Sequence, residues 1–306
     1  MKLKDLYKDY AGGKLDKQKY IRAMHKRHQA LFEYADYLMD TDLENIILEN
    51  GQIYGTLKGS GIKLLMDRND ARFIPVEILN FHSFDAEERE LLFSIARESR
   101  HVLDIGANIG WYALNFAKLP GVKKIYAFEP IYQTYSYLQR HVALNGVKGR
   151  VFPQHVGLSD KIEEIDFYWT NREYGAASMK NIQRRTNIEK IRCRVTTMDQ
   201  FMKNRRFAVD LIKCDVEGAE LFVFKGGRQT LQKDKPAIYT EMLRKWAKRF
   251  GYHPNDIISL LSELGYRCFG YVNGRVKQIE RVTDRTVATN FFFLHPQKHK
   301  RFIKSF

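Results

Sequence analysis

Residues 101–130 constrain the fold of this chain most, because they read as a strand, a glycine-containing turn, a helix and a second strand. Val102, Leu103 and Ile105 make a short apolar run of the kind that fills a buried parallel strand. The turn at residues 106–110 follows where that strand must give way to a helix. This order of elements predicts a βαβ unit in a parallel α/β sheet.

The turn carries Gly-x-Asn-x-Gly, so it lacks the third glycine expected beside a dinucleotide pyrophosphate, while its glycines allow close backbone approach to a ligand. Asp104 ends the strand, where its carboxylate is placed to bind an ammonium group. The free backbone amides around Ile109 are placed to bind a carboxylate. Glu129 ends the second strand, nineteen residues after Gly110, where an acidic side chain typically accepts both ribose hydroxyls. An amino acid plus a ribose indicates S-adenosylmethionine (SAM). A glycine turn alone would fit any α/β protein, but this combination favours the cofactor.

Length and composition are those of a globular protein. The 306 residues are enough for one large domain with an appendage. Three cysteines, Cys193, Cys214 and Cys268, lack a Cys-x-x-Cys pair and support neither a disulfide framework nor a zinc site. The sequence shows no signal-peptide core and no apolar stretch near the roughly 18 to 20 residues of a membrane span, which predicts a cytoplasmic protein without a transmembrane segment.

The net charge of +15 indicates attraction to polyanions or anionic membrane surfaces. Lys and Arg outnumber Asp and Glu by nine to three in residues 1–27, ten to three in residues 171–206 and nine to two in residues 267–306. The basic excess therefore lies outside the βαβ unit. It suits an anionic or lipid-linked acceptor, a position at the inner membrane surface, or nucleic acid. A solvated lysine-rich surface explains any one cluster equally well.

Residues 1–84 are predicted to form an appendage packed on a catalytic domain of residues 85–306. Apolar spacing predicts an amphipathic helix over residues 16–40, and two alternating segments predict a β-hairpin over residues 52–66. Asp85 is the predicted N-cap of the helix that leads into the βαβ unit.

The third parallel strand is predicted over residues 151–158. On this topology its carboxyl end lies beside an adenine ring, which makes the Gly157 backbone and the Asp160 side chain candidate contacts. Residues 165–169 and 191–195 alternate like the arms of an antiparallel pair. The loop between them is predicted to overhang the acceptor site.

The fourth parallel strand, residues 210–217, carries the candidate chemistry. Alternation places Lys213, Asp215 and Glu217 on one face at the carboxyl edge, where open α/β sheets bind ligands. A lysine in a central strand is costly unless paired, so these carboxylates are its predicted partners. Glu241, at the end of the fifth strand, points toward the same cleft. An internal ion pair that only fixes the loop is the alternative, but charges facing a cleft favour a functional site.

Two closing strands, residues 267–272 and 288–294, are predicted to pair as a hairpin about residues 272–275. They complete a seven-stranded, mostly parallel sheet in an α/β fold of Rossmann-like type. The appendage of residues 1–84, helical and hairpin in character, lies outside this sheet.

These motifs resemble those of the FkbM family of SAM-dependent methyltransferases. The similarity covers about residues 85–296 and rests on Val-Leu-Asp-Ile-Gly-Ala-Asn-Ile-Gly at 102–110, Phe-Glu-Pro at 128–130, residues 175–178, residues 197–199, and Leu-Ile-Lys-Cys-Asp-Val-Glu-Gly-Ala-Glu at 211–220 with two glycines at 226–227. It implies a class I methyltransferase that O-methylates a hydroxyl of a carbohydrate or natural product and releases S-adenosylhomocysteine. The implied cofactor residues are Asp104, Gly106, Asn108, Gly110 and Glu129, and the implied site residues are Lys213, Asp215, Glu217 and Glu241.

An alcohol is a poor nucleophile until its proton moves, so a base must lie within hydrogen-bond reach of the acceptor hydroxyl. The hypothesis is that Glu217 or Asp215 is that base, that Lys213 orients it or stabilises the alkoxide, and that Glu241 completes the network. A divalent metal on Asp215, Glu217 and Glu241 would do the same work, since carboxylates suit magnesium. Without a histidine or a clear ligand spacing, metal-free catalysis is favoured.

Two other functions compete. An RNA methyltransferase would use the basic surface and aromatic side chains such as Tyr168, Trp169 and Trp246, but the sequence has no Asn-Pro-Pro-Tyr motif and no RNA-binding module. A non-catalytic binding module is least favoured, because the cofactor residues and the charged strand are all present. The acceptor and the oligomeric state are not predicted.

Overall fold

The structure, a computed structural model, describes residues 2–84, 86–169, 189–272 and 274–306. The predicted N-cap Asp85 and the loop predicted to overhang the acceptor site lie outside the described residues. The N-terminal part contains three helices and a three-stranded antiparallel sheet: α1 (Leu3–Ala11), α2 (Lys17–Tyr37), β1 (Leu43–Glu49), β2 (Gln52–Leu57), β3 (Lys63–Leu65) and α3 (Ile74–Phe81).

The remaining strands and helices follow residue 85 in chain order. They are α4 (Ala86–Arg97), β4 (His101–Ile105), α5 (Trp111–Ala117), β5 (Lys124–Phe128), α6 (Tyr132–Leu144), β6 (Val151–Gln154), β7 (Gly157–Leu158), β8 (Glu163–Trp169), β9 (Glu189–Thr196), α7 (Met198–Met202), β10 (Leu211–Cys214), α8 (Glu220–Lys225), α9 (Arg228–Asp234), β11 (Ala237–Glu241), α10 (Arg244–Ala247), α11 (Pro254–Glu263), β12 (Arg267–Val272), β13 (Arg275–Gln278), β14 (Asn290–Leu294) and α12 (Lys300–Lys304). Among these helices and those of the N-terminal part, none is long and apolar enough to cross a bilayer.

The central sheet has the strand order β13-β12-β14-β11-β10-β4-β5-β6 within the described residues. The five strands from β11 to β6 run parallel, and the other three are antiparallel to their neighbours. Apolar clusters pack on both faces. The predicted Rossmann-like α/β fold is confirmed, with eight strands rather than seven.

The two closing strands pair antiparallel as predicted, as β12 and β14, but the prediction that one hairpin turn joins them is wrong. The hairpin joins β12 to β13, and β14 inserts between β12 and β11. Phe291, Phe292 and Phe293 of β14 are at most 1% exposed. An interior position in the sheet therefore stabilises this strand most, because it buries these apolar side chains. The polar strand β13, Arg-Val-Lys-Gln, takes the solvent edge instead.

The predicted third strand is two strands in two sheets. The edge strand β6 ends at Gln154, and β7 leaves to pair with β9 in a smaller sheet of order β7-β9-β8. Pro153 suits an edge strand because it has no N–H for a further partner. The predicted antiparallel arms are confirmed as β8 and β9, with Ile165 opposite Cys193.

The predicted fourth strand is shorter than expected. Strand β10 ends at Cys214, and Glu217 and Gly218 have φ values of +53° and +98°, which extended backbone cannot adopt. Alternation along a strand therefore does not place Glu217. The conformation of the loop after β10 does.

The N-terminal sheet packs on the central domain through one apolar cluster, which includes Leu43 and Ile62 from one side and Leu92 and Phe116 from the other. The buried His141 of α6 connects the two parts. Its Nε2 accepts the Leu65 amide at 2.9 Å and its Nδ1 lies 2.8 Å from the Ile109 carbonyl, so the proton sits on Nδ1 and the ring is neutral.

Burial lowers the pKa of His141 from 6.5 to about 4. Because the folded state binds this proton less readily than the unfolded chain, the stabilisation is complete above pH 6.5 and is lost as pH falls toward 4. We expect up to about 3 kcal/mol of the free energy of unfolding to disappear over this interval. Urea titrations of wild type and His141→Gln should show a smaller pH dependence in the variant.

The exposed His155 provides the matched control. His155→Gln should keep the wild-type pH dependence. A His141→Gln profile parallel to that of wild type would contradict the role assigned to His141.

Candidate active site

Two glycines shape the turn between β4 and α5, and both have left-handed backbones. Gly106 has φ +74°, and a Cβ there would lie 1.8 Å from the Asp215 carbonyl oxygen. Gly110 has φ +94°, and its Cβ would lie 2.6 Å from the Leu138 side chain. The structure therefore gives a further reason for these glycines, since they let the turn pack closely against other parts of the chain, and Gly106 also lines the pocket described below.

Asp104 is 0% exposed at the end of β4. Its Oδ2 accepts the Ala113 amide at 3.0 Å, and its Oδ1 lies 3.7 Å from Lys213 Nζ. The expectation that Asp104 holds the ammonium of a ligand is thus corrected, since the ammonium that it faces belongs to the protein. Burial raises the pKa of Asp104, and the charge of Lys213 opposes that shift.

Lys213 is the only site residue that bridges β4, the glycine turn and the loop after β10 within the described residues. Register sets it beside Asp104 on β4. Its Nζ donates to the Gly106 carbonyl at 2.9 Å and lies 3.7 Å from Asp215 Oδ2. The ammonium also lies 5.2 Å from the centre of the Tyr112 ring. Two carboxylates and a carbonyl therefore offset the cost of burying this charge.

Glu129 follows β5 and is 6% exposed. Its two oxygens accept the amides of Asn108 at 3.0 Å and Ile131 at 2.9 Å, which ties the glycine turn to the end of β5. Burial raises the pKa of Glu129 to about 7. The Thr134 side chain also hydrogen-bonds to this carboxylate, and the acceptor capacity that remains can take a ligand hydroxyl.

These groups surround one pocket with a volume of about 110 Å³. Its lining includes Gly106, Asn108, Trp111, Glu129, Lys213, Asp215 and Glu217. Ile74 and Phe84 of the N-terminal part also line it, and the Phe84 ring packs edge-on to Trp111 at 5.4 Å. Ligand pockets typically hold about 300 to 1,000 Å³, so the residues described here would enclose only part of a nucleoside ligand.

Two predicted adenine contacts do not line this pocket in the described part of the chain. Gly157 pairs with Val195 in the small sheet, and a Cβ there would lie 3.1 Å from the Val195 side chain. Asp160 lies two residues beyond β7, next to Ser159. Gly157 nevertheless lies next to the pocket, because its Cβ would be 3.5 Å from Pro130 and 3.6 Å from Phe167, and both of these residues line it.

Four carboxyl groups gather beside Lys213: Asp215, Glu217, Glu220 and Glu241. Burial is the main cause of the raised pKa of Glu217 and of Glu241, and the neighbouring carboxylates raise both further. Glu241 belongs to this cluster electrostatically, although it does not line the pocket among the described residues. The cluster therefore holds carboxyl groups able to exchange protons near neutral pH.

Glu220 is a residue of this cluster that the sequence analysis did not single out, although it ends the family motif. Its Oε1 accepts the amides of Val216 at 3.0 Å and Gly218 at 3.1 Å, and its Oε2 lies 3.2 Å from the Tyr252 hydroxyl. These bonds hold the loop that carries Glu217. Burial raises the pKa of Glu220 to about 7.

In the described ranges, no three carboxyl, imidazole or thiol groups lie close enough together to hold a metal ion. The metal-binding set considered for Asp215, Glu217 and Glu241 is therefore not assembled there. Lys213 lies against Asp215 at 3.7 Å, where a cation would otherwise bind.

The pocket fits the polar part of a SAM molecule. Asn108 Oδ1 and Trp111 Nε1 are buried without a hydrogen-bond partner among the described residues, and both residues line the pocket. Such orphaned atoms are rare in folded proteins and indicate a polar ligand. Together with the spare lone pairs of Glu129, they supply acceptors for hydroxyls and a donor for a carboxylate.

A parallel sheet with a glycine turn, an acidic residue after the next strand and a buried lysine at one carboxyl edge defines a Rossmann-like enzyme that uses a nucleoside cofactor. The family model for the methyltransferase FkbM domain matches residues 104–268. The chain belongs to the FkbM family of SAM-dependent methyltransferases, which confirms the predicted relationship.

Two characterised relatives match about half of this chain. Methyltransferase sdnD of Sordaria araneosa is 28% identical over 185 residues, covering 51% of this chain and 69% of its own length. The 2-O-methyltransferase NoeI of Sinorhizobium fredii (strain NBRC 101917 / NGR234) is 27% identical over 167 residues, covering 50% of this chain and 67% of its own length. A crystal structure of methyltransferase FkbM from Methylobacillus flagellatus KT is 17% identical, with a TM-score of 0.42 over 64% of this chain and 44% of that one.

Proposed function

We propose that this protein is a SAM-dependent O-methyltransferase that methylates a hydroxyl on a sugar of a glycan or of a glycosylated natural product. The observation that carries the proposal is the position of Glu217, a carboxyl group of raised pKa that lines the same pocket as Glu129 and Lys213. The name of NoeI, a 2-O-methyltransferase, supports oxygen as the accepting atom.

The cofactor residues of the proposal are those around the glycine turn. Glu129 would accept hydrogen bonds from the ribose hydroxyls. The buried polar atoms of Asn108 and Trp111 would hydrogen-bond to the amino-acid part of the cofactor. Asp104 acts through Lys213, whose bond to the Gly106 carbonyl fixes the turn. The cofactor supplies an electrophilic methyl group, and the protein aligns the acceptor oxygen with it.

Glu217 is the proposed general base. Its raised pKa places it where a carboxylate can take the hydroxyl proton near neutral pH, which is the range that favours general base catalysis. Lys213 holds Asp215 beside it and provides positive charge near the developing alkoxide. Glu220 and Tyr252 keep the Glu217 loop in place.

The acceptor is proposed to be anionic or lipid-linked, because the net charge of +15 lies mainly outside the cofactor core. RNA is the second acceptor class that this charge would attract. The sequence has no Asn-Pro-Pro-Tyr motif and no recognisable RNA-binding module, so the hydroxyl acceptor is preferred.

Mass spectrometry of candidate glycans, glycolipids and RNA incubated with methyl-labelled SAM tests this function. We expect the labelled methyl group on a carbohydrate oxygen. We also expect the transfer to continue in a molar excess of chelator. Label on an RNA base would replace the proposal with the RNA alternative, and label transfer that stops in chelator would contradict the metal-free site.

A further inference from the structure

Helix α2 has an unusually exposed apolar stripe. The helix is 21 residues long, and none of its residues is buried. The stripe continues two residues past the helix end and contains four apolar residues and two histidines. Their spacings alternate between four and three, the spacing at which paired helices touch: Ile21, His25, His28, Phe32, Ala35 and Met39. Ile21, Phe32 and Met39 are 47%, 66% and 77% exposed.

A groove runs beside this stripe, between α2 and β1. Its volume is about 700 Å³, and apolar side chains form both walls. Leu31 and Tyr34 line the helix side, and Ile46 and Leu48 the strand side. Leu48 is itself 68% exposed, so the apolar surface extends out of the groove. A monomer leaves all of this surface in water.

The charges along the helix are divided into two halves. Residues 17–27 contain five Lys and Arg and no acidic residue, whereas residues 28–40 contain three acidic residues and no Lys or Arg. Positive charge at a helix N-terminus and negative charge at its C-terminus work against the helix dipole. This order of charges therefore destabilises an isolated helix. It stabilises an antiparallel pair of the same helix, because the basic half of each helix lies beside the acidic half of the other.

We propose that two copies of this chain associate through antiparallel packing of α2, with the stripe of each copy against the stripe and groove of the other. In this register Ile21 lies opposite Met39 of the second copy, and Phe32 lies opposite His28. Arg22 and Asp36 occupy equivalent positions at one edge of the stripe, so Arg22 of each copy faces Asp36 of the other. Because a two-fold axis relates the two copies, each of these pairs occurs twice.

Charge also distinguishes this partner from an anionic bilayer. A bilayer would attract residues 17–27, but it would repel the acidic residues of 28–40, and in the groove itself Glu44 and Lys58 carry opposite charges. A second copy presents a basic half to each acidic half. The observations therefore favour self-association over membrane binding.

Sedimentation of the full chain over a range of concentrations tests the interface. We expect a species of twice 36.0 kDa that dissociates on dilution. Phe32→Asp should weaken association at least about 30-fold, the effect of losing a central apolar anchor. Ile162→Asp also replaces an exposed apolar side chain by a carboxylate, at a 64% exposed position of the methyltransferase domain, and should leave association unchanged.

Charge reversal tests the antiparallel register. Arg22→Glu and Asp36→Arg should each weaken the dimer about tenfold, since each places two like-charged pairs across the interface. The double variant restores both pairs in opposite sense and should return to within about threefold of wild type. Circular dichroism checks that every variant keeps its helix.

A chain that stays monomeric at all concentrations would overturn the proposal. So would a Phe32→Asp variant that dimerises like wild type, or a double charge variant weaker than both single ones. Binding of a monomeric wild type to phosphatidylglycerol vesicles, lost in Phe32→Asp, would assign the surface to the membrane instead.

Discussion

Lys213→Met is expected to lower the free energy of unfolding by about 3 to 5 kcal/mol, the usual effect of breaking a buried ion pair by removing one partner. The variant leaves Asp104 at 0% exposure with no ammonium beside it and removes the donor to the Gly106 carbonyl. Because that bond fixes the cofactor turn, we also expect SAM affinity to fall at least about tenfold. Urea titration and calorimetry measure the two effects separately.

A second variant separates stability from binding if Lys213→Met folds poorly. Combining it with Asp104→Asn removes the orphaned charge, so stability should recover in part while SAM affinity stays low. Lys225→Met is the matched control, since Lys225 is an exposed lysine of the methyltransferase domain whose ammonium lies 5.9 Å from the centre of the Phe222 ring. Unchanged SAM affinity in Lys213→Met would refute its role at the turn.

Glu217→Gln is expected to reduce turnover by about 100-fold to 10,000-fold, the contribution of a positioned general base. SAM affinity and stability should remain near wild type, because the amide keeps the shape and removes a buried charge among carboxylates. The base must be ionised to act and its pKa is raised, so wild-type turnover should increase with pH through the neutral range and above. This increase should be absent in the variant.

The control is Glu164→Gln, which changes an exposed glutamate of β8 and should leave turnover intact. Asp215→Asn distinguishes the two candidate bases. If Glu217→Gln retained the wild-type rate and pH profile while Asp215→Asn lost them, the base would be Asp215 and the present assignment would fail.

Local patterns were sufficient for several elements. The side chain of Asp16 caps α2 as an N-cap should, by accepting the Lys19 amide at 2.9 Å, and the alternating arms pair as β8 and β9. The glycine turn was also identified correctly, although its close packing against Asp215 and Leu138 was not foreseen. Each of these features depends on neighbouring residues, so period and spacing reveal it.

Features that depend on distant contacts were missed or misplaced. The third strand was predicted as one element because the pairing of β7 with β9 has no local signal, and Glu217 is not on a strand because its backbone is left-handed. The contribution of Ile74 and Phe84 to the pocket had no sequence signal. Their place depends on how the N-terminal part packs over α5.

The sequence by itself determined the βαβ unit, the family and the set of charged residues available for chemistry, because those follow from local order and spacing. Only the tertiary structure decided what each charge faces. Asp104 and Lys213 are 109 residues apart and meet because β4 and β10 are neighbours in register. Strand order and register arise from the packing of the whole core, which no local pattern specifies.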